Sequence, residues 1–305
     1  MLEIFYHPLY TSGISENSKF PRDRYKLIFE SISNSKANKE IKFRIPEKID
    51  LELLYEVHQK KYVDNFIAGT LSESKQRAIG LRPWTKDILD RTLFIMGGGI
   101  NALDSAIKNG ISANLAGGTH HAHYDYGSGY CIFNDIAIAA NYCKNKYEEY
   151  QNILVLDLDV HQGDGSATML KDVESVFTFS IHCGGNFPLK KQKSNLDVEL
   201  EKGTGDEEYI EILQKNLNEL KSIQFDIVFF QAGVDSLKFD SLGHLELTQD
   251  GMKKRNEIVL DFCAAQNLPL LIFMGGGYSN PIDHTVEAFH NLFVQCTKTI
   301  GTIKS

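Results

Sequence analysis

The stretch from Ile153 to Gly165 limits the fold more tightly than any other. It reads Ile-Leu-Val-Leu-Asp-Leu-Asp-Val-His-Gln-Gly-Asp-Gly. Its first half is a short run of branched apolar residues, the pattern of a strand buried on both faces of a parallel sheet. Asp157, Asp159 and His161 then occupy alternate positions. Alternate residues of a strand share one side, so a strand running to residue 159 would gather two carboxylates and an imidazole at one end. Burying such groups together is costly unless a cation or hydrogen bonds compensate. A divalent metal is the simplest compensation. The plainer alternative is a polar strand end that caps the next helix, but a cap does not call for two acids and a histidine.

Further apolar runs repeat the theme. Strands are expected at 2–6, 111–115, 176–181, 225–231 and 268–274, and helical patterns lie between them. Pro21 opens a helix to Ile32, and Asp50 caps one that carries Leu53, Leu54, Val57, Phe66 and Ile67 as its stripe. Longer helices are expected at 87–108, 134–144, from Asp164, from Asp206, after Thr248 and at 283–298. Gly97-Gly-Gly99 lies inside one of these, follows no strand, and reads as close helix packing rather than a phosphate loop. Segments 72–83 and 182–206 show no clear period and are expected to be loops. Strands alternating with helices imply a single α/β domain over 1–305, with a parallel sheet covered on both faces.

Composition excludes several roles. Hydrophobic residues make up 42% and the net charge is −8, with no basic cluster beyond Leu189-Lys-Lys-Gln-Lys193. Nucleic-acid binding is therefore not expected. Five cysteines without a Cys-x-x-Cys pair fit a reducing compartment. No run approaches the roughly 18 apolar residues of a membrane span, and the N-terminal residues lack a signal-peptide pattern. The cytoplasm is the expected location.

In open parallel sheets, ligands sit beyond the carboxyl ends of the strands. The unusual polar residues obey that rule. His120 and His121 follow one strand, Asp157, Asp159 and His161 end another, Asp235 follows a third and Tyr278 a fourth. Asp159, His161 and Asp235 form a plausible ligand set for Zn2+, and three protein ligands leave a position open for chemistry. Zinc would polarise a carbonyl and acidify water. His120 and His121 then suit proton transfer, each needing an orienting carboxylate, for which Asp157 and Asp164 are the candidates.

These motifs resemble a known family. Gly117-Gly-Thr-His-His-Ala122, Asp157-Leu-Asp-Val-His161 with Gly163-Asp-Gly165, Ala232-Gly-Val-Asp235 and Gly275-Gly-Gly-Tyr278 are similar in order and spacing to the zinc-dependent histone deacetylases and their prokaryotic relatives. Cys183-Gly-Gly-Asn-Phe-Pro188, Gly203-Thr-Gly-Asp-Glu-Glu-Tyr209 and Leu242-Gly-His-Leu245 resemble the class IV-type branch. The resemblance implies an arginase/deacetylase fold with one parallel sheet of about eight strands. It implies Asp159, His161 and Asp235 as zinc ligands and His121, oriented by Asp164, as general base and acid. His120, paired with Asp157, would support the transition state, and Tyr278 would hydrogen-bond the scissile carbonyl. Gly129, Tyr130 and Phe187 would line an acyl-lysine tunnel. A potassium ion (K+) would sit near Asp157, Asp159, His161, Ser180 and Ile181. The family's basic residue near the first helix, often arginine, is matched by Lys19. The acidic rim residue of many members has no counterpart in Gly80-Leu-Arg-Pro-Trp84.

The expected activity is therefore hydrolysis of an acyl group, acetyl by default, from a lysine side chain of a protein or peptide. Long-chain fatty acyl-lysine and small acylated amines such as polyamines are the alternative substrates. A two-metal ureohydrolase-like enzyme would need another carboxylate two residues after Asp235, where Leu237 stands. A non-catalytic binding module would have no use for the intact proton-transfer residues.

Overall fold

The computed structural model describes residues 1–303. Eight strands form one sheet: β1 Leu2–Phe5, β2 Ile41–Arg44, β3 Ile111–Asn114, β4 Ile153–Asp157, β5 Val176–Cys183, β6 Leu196–Leu200, β7 Ile227–Gln231 and β8 Leu270–Phe273. Their order is β2-β1-β3-β8-β7-β4-β5-β6, and every neighbouring pair is parallel. All residues of β3, β4, β7 and β8 are buried. Successive strand residues face opposite sides, so both faces of the sheet centre are covered, as the apolar runs required.

The helices are α1 Arg24–Ser33, α2 Leu51–Val57, α3 Lys60–Ile67, α4 Glu73–Ile79, α5 Ile88–Asn109, α6 Asp135–Lys146, α7 Asp164–Leu170, α8 Asp206–Leu220, α9 Gln249–Gln266 and α10 Asp283–Thr299. Helix α5 packs on β1, β3 and β8, with α6 beside it and α2 beyond, while α9 lies between α8 and α10. The triple glycine of α5 serves close packing: a Cβ on Gly97 would fall 2.0 Å from Glu47 O, and one on Gly98 2.4 Å from the Tyr10 hydroxyl. No helix among the described residues is long and apolar enough to cross a membrane.

Several expectations are corrected. The sheet edges β2 and β6 were not expected; both are partly exposed and lack a clean apolar run. Residues 72–83 are not all loop: Ser72 caps α4, a polar helix whose one buried residue is Ile79. The helix expected over 50–67 is two, broken at His58, whose ring turns inward to the backbone of residues 123 and 124. The first helix begins at Arg24 rather than Pro21. Strand β4 stops at Asp157, because the Asp159 N–H folds back to Asp157 Oδ1 at 3.2 Å and starts a turn. Asp159 and His161 thus sit in the loop after the strand.

Chain order and sheet order differ at one place that matters. Strands β3, β8, β7 and β4 are consecutive in the sheet, and the segments after their carboxyl ends carry the expected catalytic and zinc-ligating residues; Ser180 and Ile181 lie in the next strand, β5.

Candidate active site

Beyond β3 the chain turns through Gly117 and Gly118, both with positive φ, where a Cβ on Gly118 would lie 2.3 Å from Gly275 N. Only glycine lets the β3 and β8 loops approach so closely. Asp135, at the start of α6, fixes this turn: Oδ2 accepts from Gly118 N–H at 2.8 Å and Oδ1 from Thr119 N–H at 2.8 Å. The next two residues are His120 and His121, with ring centroids 4.1 Å apart. His120 Nδ1 meets Asp157 Oδ2 at 2.7 Å and His121 Nδ1 meets Asp164 Oδ1 at 2.6 Å. The structure therefore pairs each histidine with its own carboxylate.

Asp159, His161 and Asp235 converge beside this pair. His161 Nδ1 lies 3.0 Å from Asp159 Oδ1 and 3.1 Å from Asp235 Oδ2, and all three residues are buried. Ligand atoms held at about 2.0–2.2 Å around one ion stand roughly 3–3.5 Å from each other; both separations from His161 match that, and all three ligand atoms lie within 4.8 Å of one another. The other oxygens are anchored: Asp159 Oδ2 accepts from Gly276 N–H at 2.7 Å and Gln231 Nε2 at 2.9 Å, and Asp235 Oδ1 accepts from Val160 N–H at 2.9 Å. The metal-facing donor set is thus mixed nitrogen and oxygen, preorganised and dry.

Burial opposes charge on His120, but Asp157 and then Asp159 beside it outweigh that and raise it to about 9. For His121, burial and the charge of His120 act together and lower it to about 4, against the pull of Asp164. One imidazole of the pair is held protonated and the other neutral, which is the division of labour that acid–base chemistry needs. Asp235 is pushed above the usual carboxylate range by burial and by the neighbouring Asp159. Two carboxylates crowded together in this way call for a cation.

Tyr278 follows the glycines of the β8 loop, and burial raises its hydroxyl well above the usual range, so it stays a proton donor. Its turn is held by Arg24, which is buried and donates to Gly275 O at 2.8 Å and Gly277 O at 3.0 Å. Arg24 is the basic residue of the first helix that turns inward, whereas Lys19, the expected match, is exposed. A small inner cavity of about 50 Å3 reaches Arg24, Leu81, Ile95, Met96, Tyr278 and the cluster. A wider outer cavity of about 250 Å3 is walled by Tyr130, Phe187, Leu242, His244 and Tyr278. Gly129 stands between them: a Cβ there would fall 2.5 Å from His121 Cδ2 and 3.2 Å from Phe187 Cε1. The Phe187 ring lies edge-on to His121 at 4.8 Å.

The structure brings together all the expected catalytic, tunnel and metal residues. Asp157 and Ser180 are register partners in β4 and β5, with Ile181 next in the strand. Asp135, Gln231, Arg24 and Asn186 escaped the sequence reading; Asn186 links the mouth to the cluster, with Nδ2 3.4 Å from His161 Nε2 and 2.7 Å from Leu242 O. Asn186 stands in the quoted Cys183–Pro188 motif without a role being read from it, and the other three stand in no such motif; each acts through partners far away in the chain.

Comparison with known proteins agrees with this geometry. Residues 18–293 match the model of the histone deacetylase domain. An uncharacterized protein of Picosynechococcus sp. is 40% identical over 97% of this chain and 98% of its own length. Histone deacetylase 2 of Arabidopsis thaliana is 32% identical over 60% of this chain and 48% of its own. Histone deacetylase 8 of Xenopus tropicalis is 27% identical over 92% and 80% respectively. With the domain matched over most of its length and an eight-stranded parallel sheet beneath it, the chain belongs to the histone deacetylase family.

Proposed function

We propose that this member of the family is a zinc-dependent deacylase that hydrolyses the amide between an acyl group, acetyl by preference, and a lysine side chain. The observation that carries the reading is the pair of His–Asp couples beside a buried three-ligand cluster at the end of a narrow cavity. Asp159, His161 and Asp235 would hold the zinc, which when bound would polarise the carbonyl and acidify water. Neutral His121 takes a proton from the attacking water and later delivers it to the leaving amine, while Asp164 steadies the imidazolium. Protonated His120, backed by Asp157, places positive charge beside the oxyanion, and Tyr278 donates a hydrogen bond to the same oxygen. Gly129, Tyr130 and Phe187 enclose the lysine stem. A potassium ion at Asp157, Ser180 and Ile181 belongs to the same proposal, as does a cytoplasmic setting for five cysteines that stand as buried free thiols.

Acetyl is favoured over a long acyl chain because the inner cavity, at about 50 Å3, has room for a few heavy atoms only. A fatty chain would require Leu81, Ile95 and Met96 to move apart. A small acylated amine is the competing substrate, since the rim loop 80–84 offers no acid to grip a peptide backbone. The test is turnover by zinc-loaded and metal-stripped protein on matched acetyl-lysine and long-chain acyl-lysine peptides and on an acetylated polyamine. Zinc-restored activity with the acetyl peptide ahead is the expected result. A preference for the fatty peptide or the polyamine would reassign the substrate, and activity indifferent to metal would remove the mechanism.

A further inference from the structure

His123 lies two residues beyond the paired histidines and has no part in the reaction outlined above. Its ring nevertheless ends on the same carboxylate: Nε2 is 3.1 Å from Asp164 Oδ2, while His121 Nδ1 is 2.6 Å from Asp164 Oδ1. A ring nitrogen that meets a carboxylate oxygen at this distance carries its proton and donates. Both oxygens of Asp164 are therefore taken by imidazoles, and all three side chains are buried.

The seat of His123 is itself fixed on several sides. Its N–H donates to Tyr126 O at 2.9 Å, and its ring stacks on Tyr126 with centroids 4.5 Å apart and planes 16° from parallel. Its carbonyl accepts from His58 Nδ1 at 3.1 Å. The His58 tautomer follows from the far nitrogen, Nε2, which accepts from Asn134 N–H at 3.0 Å. Asn134 closes the frame by donating from Nδ2 to Ala122 O at 3.0 Å. A histidine that only filled space would not need this much backbone support.

A carboxylate at the first turn of a short helix can turn about its Cβ–Cγ bond. One partner on one oxygen does not stop that rotation; a second, on the other oxygen and from a rigid seat, does. We propose that His123 is a positioning residue for the reaction: by holding the second oxygen of Asp164 it fixes the plane of that carboxylate, and through it the ring of His121. This rests on the reading of His121 as the proton carrier.

Three variants separate the hydrogen bond from the shape. His123→Phe keeps a ring against Tyr126 and removes the donor. His123→Gln can bring its amide Nε2 near the place of the imidazole Nε2 without a ring, and the shorter amide of His123→Asn falls short of it. With zinc-loaded protein and an acetyl-lysine peptide, the Phe and Asn variants should lose kcat about 10-fold with KM nearly unchanged, and the Gln variant should recover most of the loss. The second measurement needs neither metal nor turnover. In 15N-labelled protein, the Nδ1 proton that His121 shares with Asp164 should shift in the Phe and Asn variants and return in the Gln variant. Wild-type kcat together with an unmoved His121 resonance in His123→Phe would overturn the proposal, as would equal losses in the Gln and Asn variants. Should His123→Phe fail to fold, the Gln and Asn pair still decides. A wild-type protein inactive on every acylated amine would sink the deacylase reading, and the resonance would then judge the positioning role alone.

Discussion

At the floor of the cavity Asp159 is 1% exposed and Asp235 0%, whereas at the mouth Phe187 is 41% exposed and Leu242 40%. The floor is made of polar groups in a dry place, each held by partners from another strand end. The mouth is made of apolar groups in a wet place; Leu189, next to Phe187 and Pro188 in the chain, is 98% exposed. Buried polar groups leave no slack, because any partner removed strands the other. Exposed apolar groups leave plenty, because each contributes only when a ligand covers it. The contrast places the candidate chemistry and the fit of the acyl group at the floor, and the fit of whatever carries that group at the mouth.

The largest effect should come from breaking the floor. Asp235→Ala removes a ligand and unties Val160, so it should lose both stoichiometric zinc, read by elemental mass spectrometry, and detectable turnover. Retained metal would show that the ligand assignment is wrong. Tyr278→Phe keeps the shape and deletes one donor, so kcat should fall about 10²–10³-fold with metal content unchanged. Near-normal turnover would take Tyr278 out of the mechanism.

A prediction on stability concerns His58, buried behind the loop that carries the paired histidines. Burial lowers His58 to about 4 from its ordinary 6.5. Between those values the unfolded chain binds a proton that the folded one refuses, so stability falls as pH drops from 6.5 toward 4. His58 alone should contribute up to about 3 kcal/mol to that loss, at 1.36 kcal/mol per unit. Denaturant titrations of metal-free wild type and His58→Gln should show a flatter pH slope in the variant; equal slopes would mean that His58 is solvated.

Gly129→Ala probes the boundary between the two regions. The new methyl meets His121 and Phe187, and the backbone is left-handed there, at φ +51°. We expect kcat/KM to drop by about 10-fold or more while the zinc stays bound. Leu242→Ala, at the mouth, should change KM by about threefold and leave kcat alone, as truncation at an exposed contact does. A kcat effect from Leu242 would blur the division drawn here.

The same division marks what could be read from the sequence. Asp157, Asp159 and His161 announce themselves because two acids and an imidazole crowd into one short stretch. The glycines beside them are legible because a turn leaves few other choices. Strands β3, β4, β7 and β8 are legible because burial on both faces writes an unbroken apolar run. The edges β2 and β6, half in water, write no such run, and α4 buries only Ile79. Gln231 reads as the polar end of a strand, and Arg24 as an ordinary charge in a helix. Only contact with Asp159 in one case, and with the Gly275 and Gly277 carbonyls in the other, gives them meaning. Lys19 was the wrong match for the same reason: proximity in sequence says nothing about which cation turns inward.

Strands β8 and β7 lie between β3 and β4 although they are made last. Until residues 227–276 have been synthesised and inserted, the two His–Asp couples lack Gln231, Asp235 and Gly276, which complete the cluster around Asp159. A chain still leaving the ribosome therefore holds the pieces of an amide-cleaving centre without the centre itself. Competence arrives in one late event, and a growing polypeptide cannot gather the full ligand set of Asp159, His161 and Asp235 before its own synthesis is nearly complete.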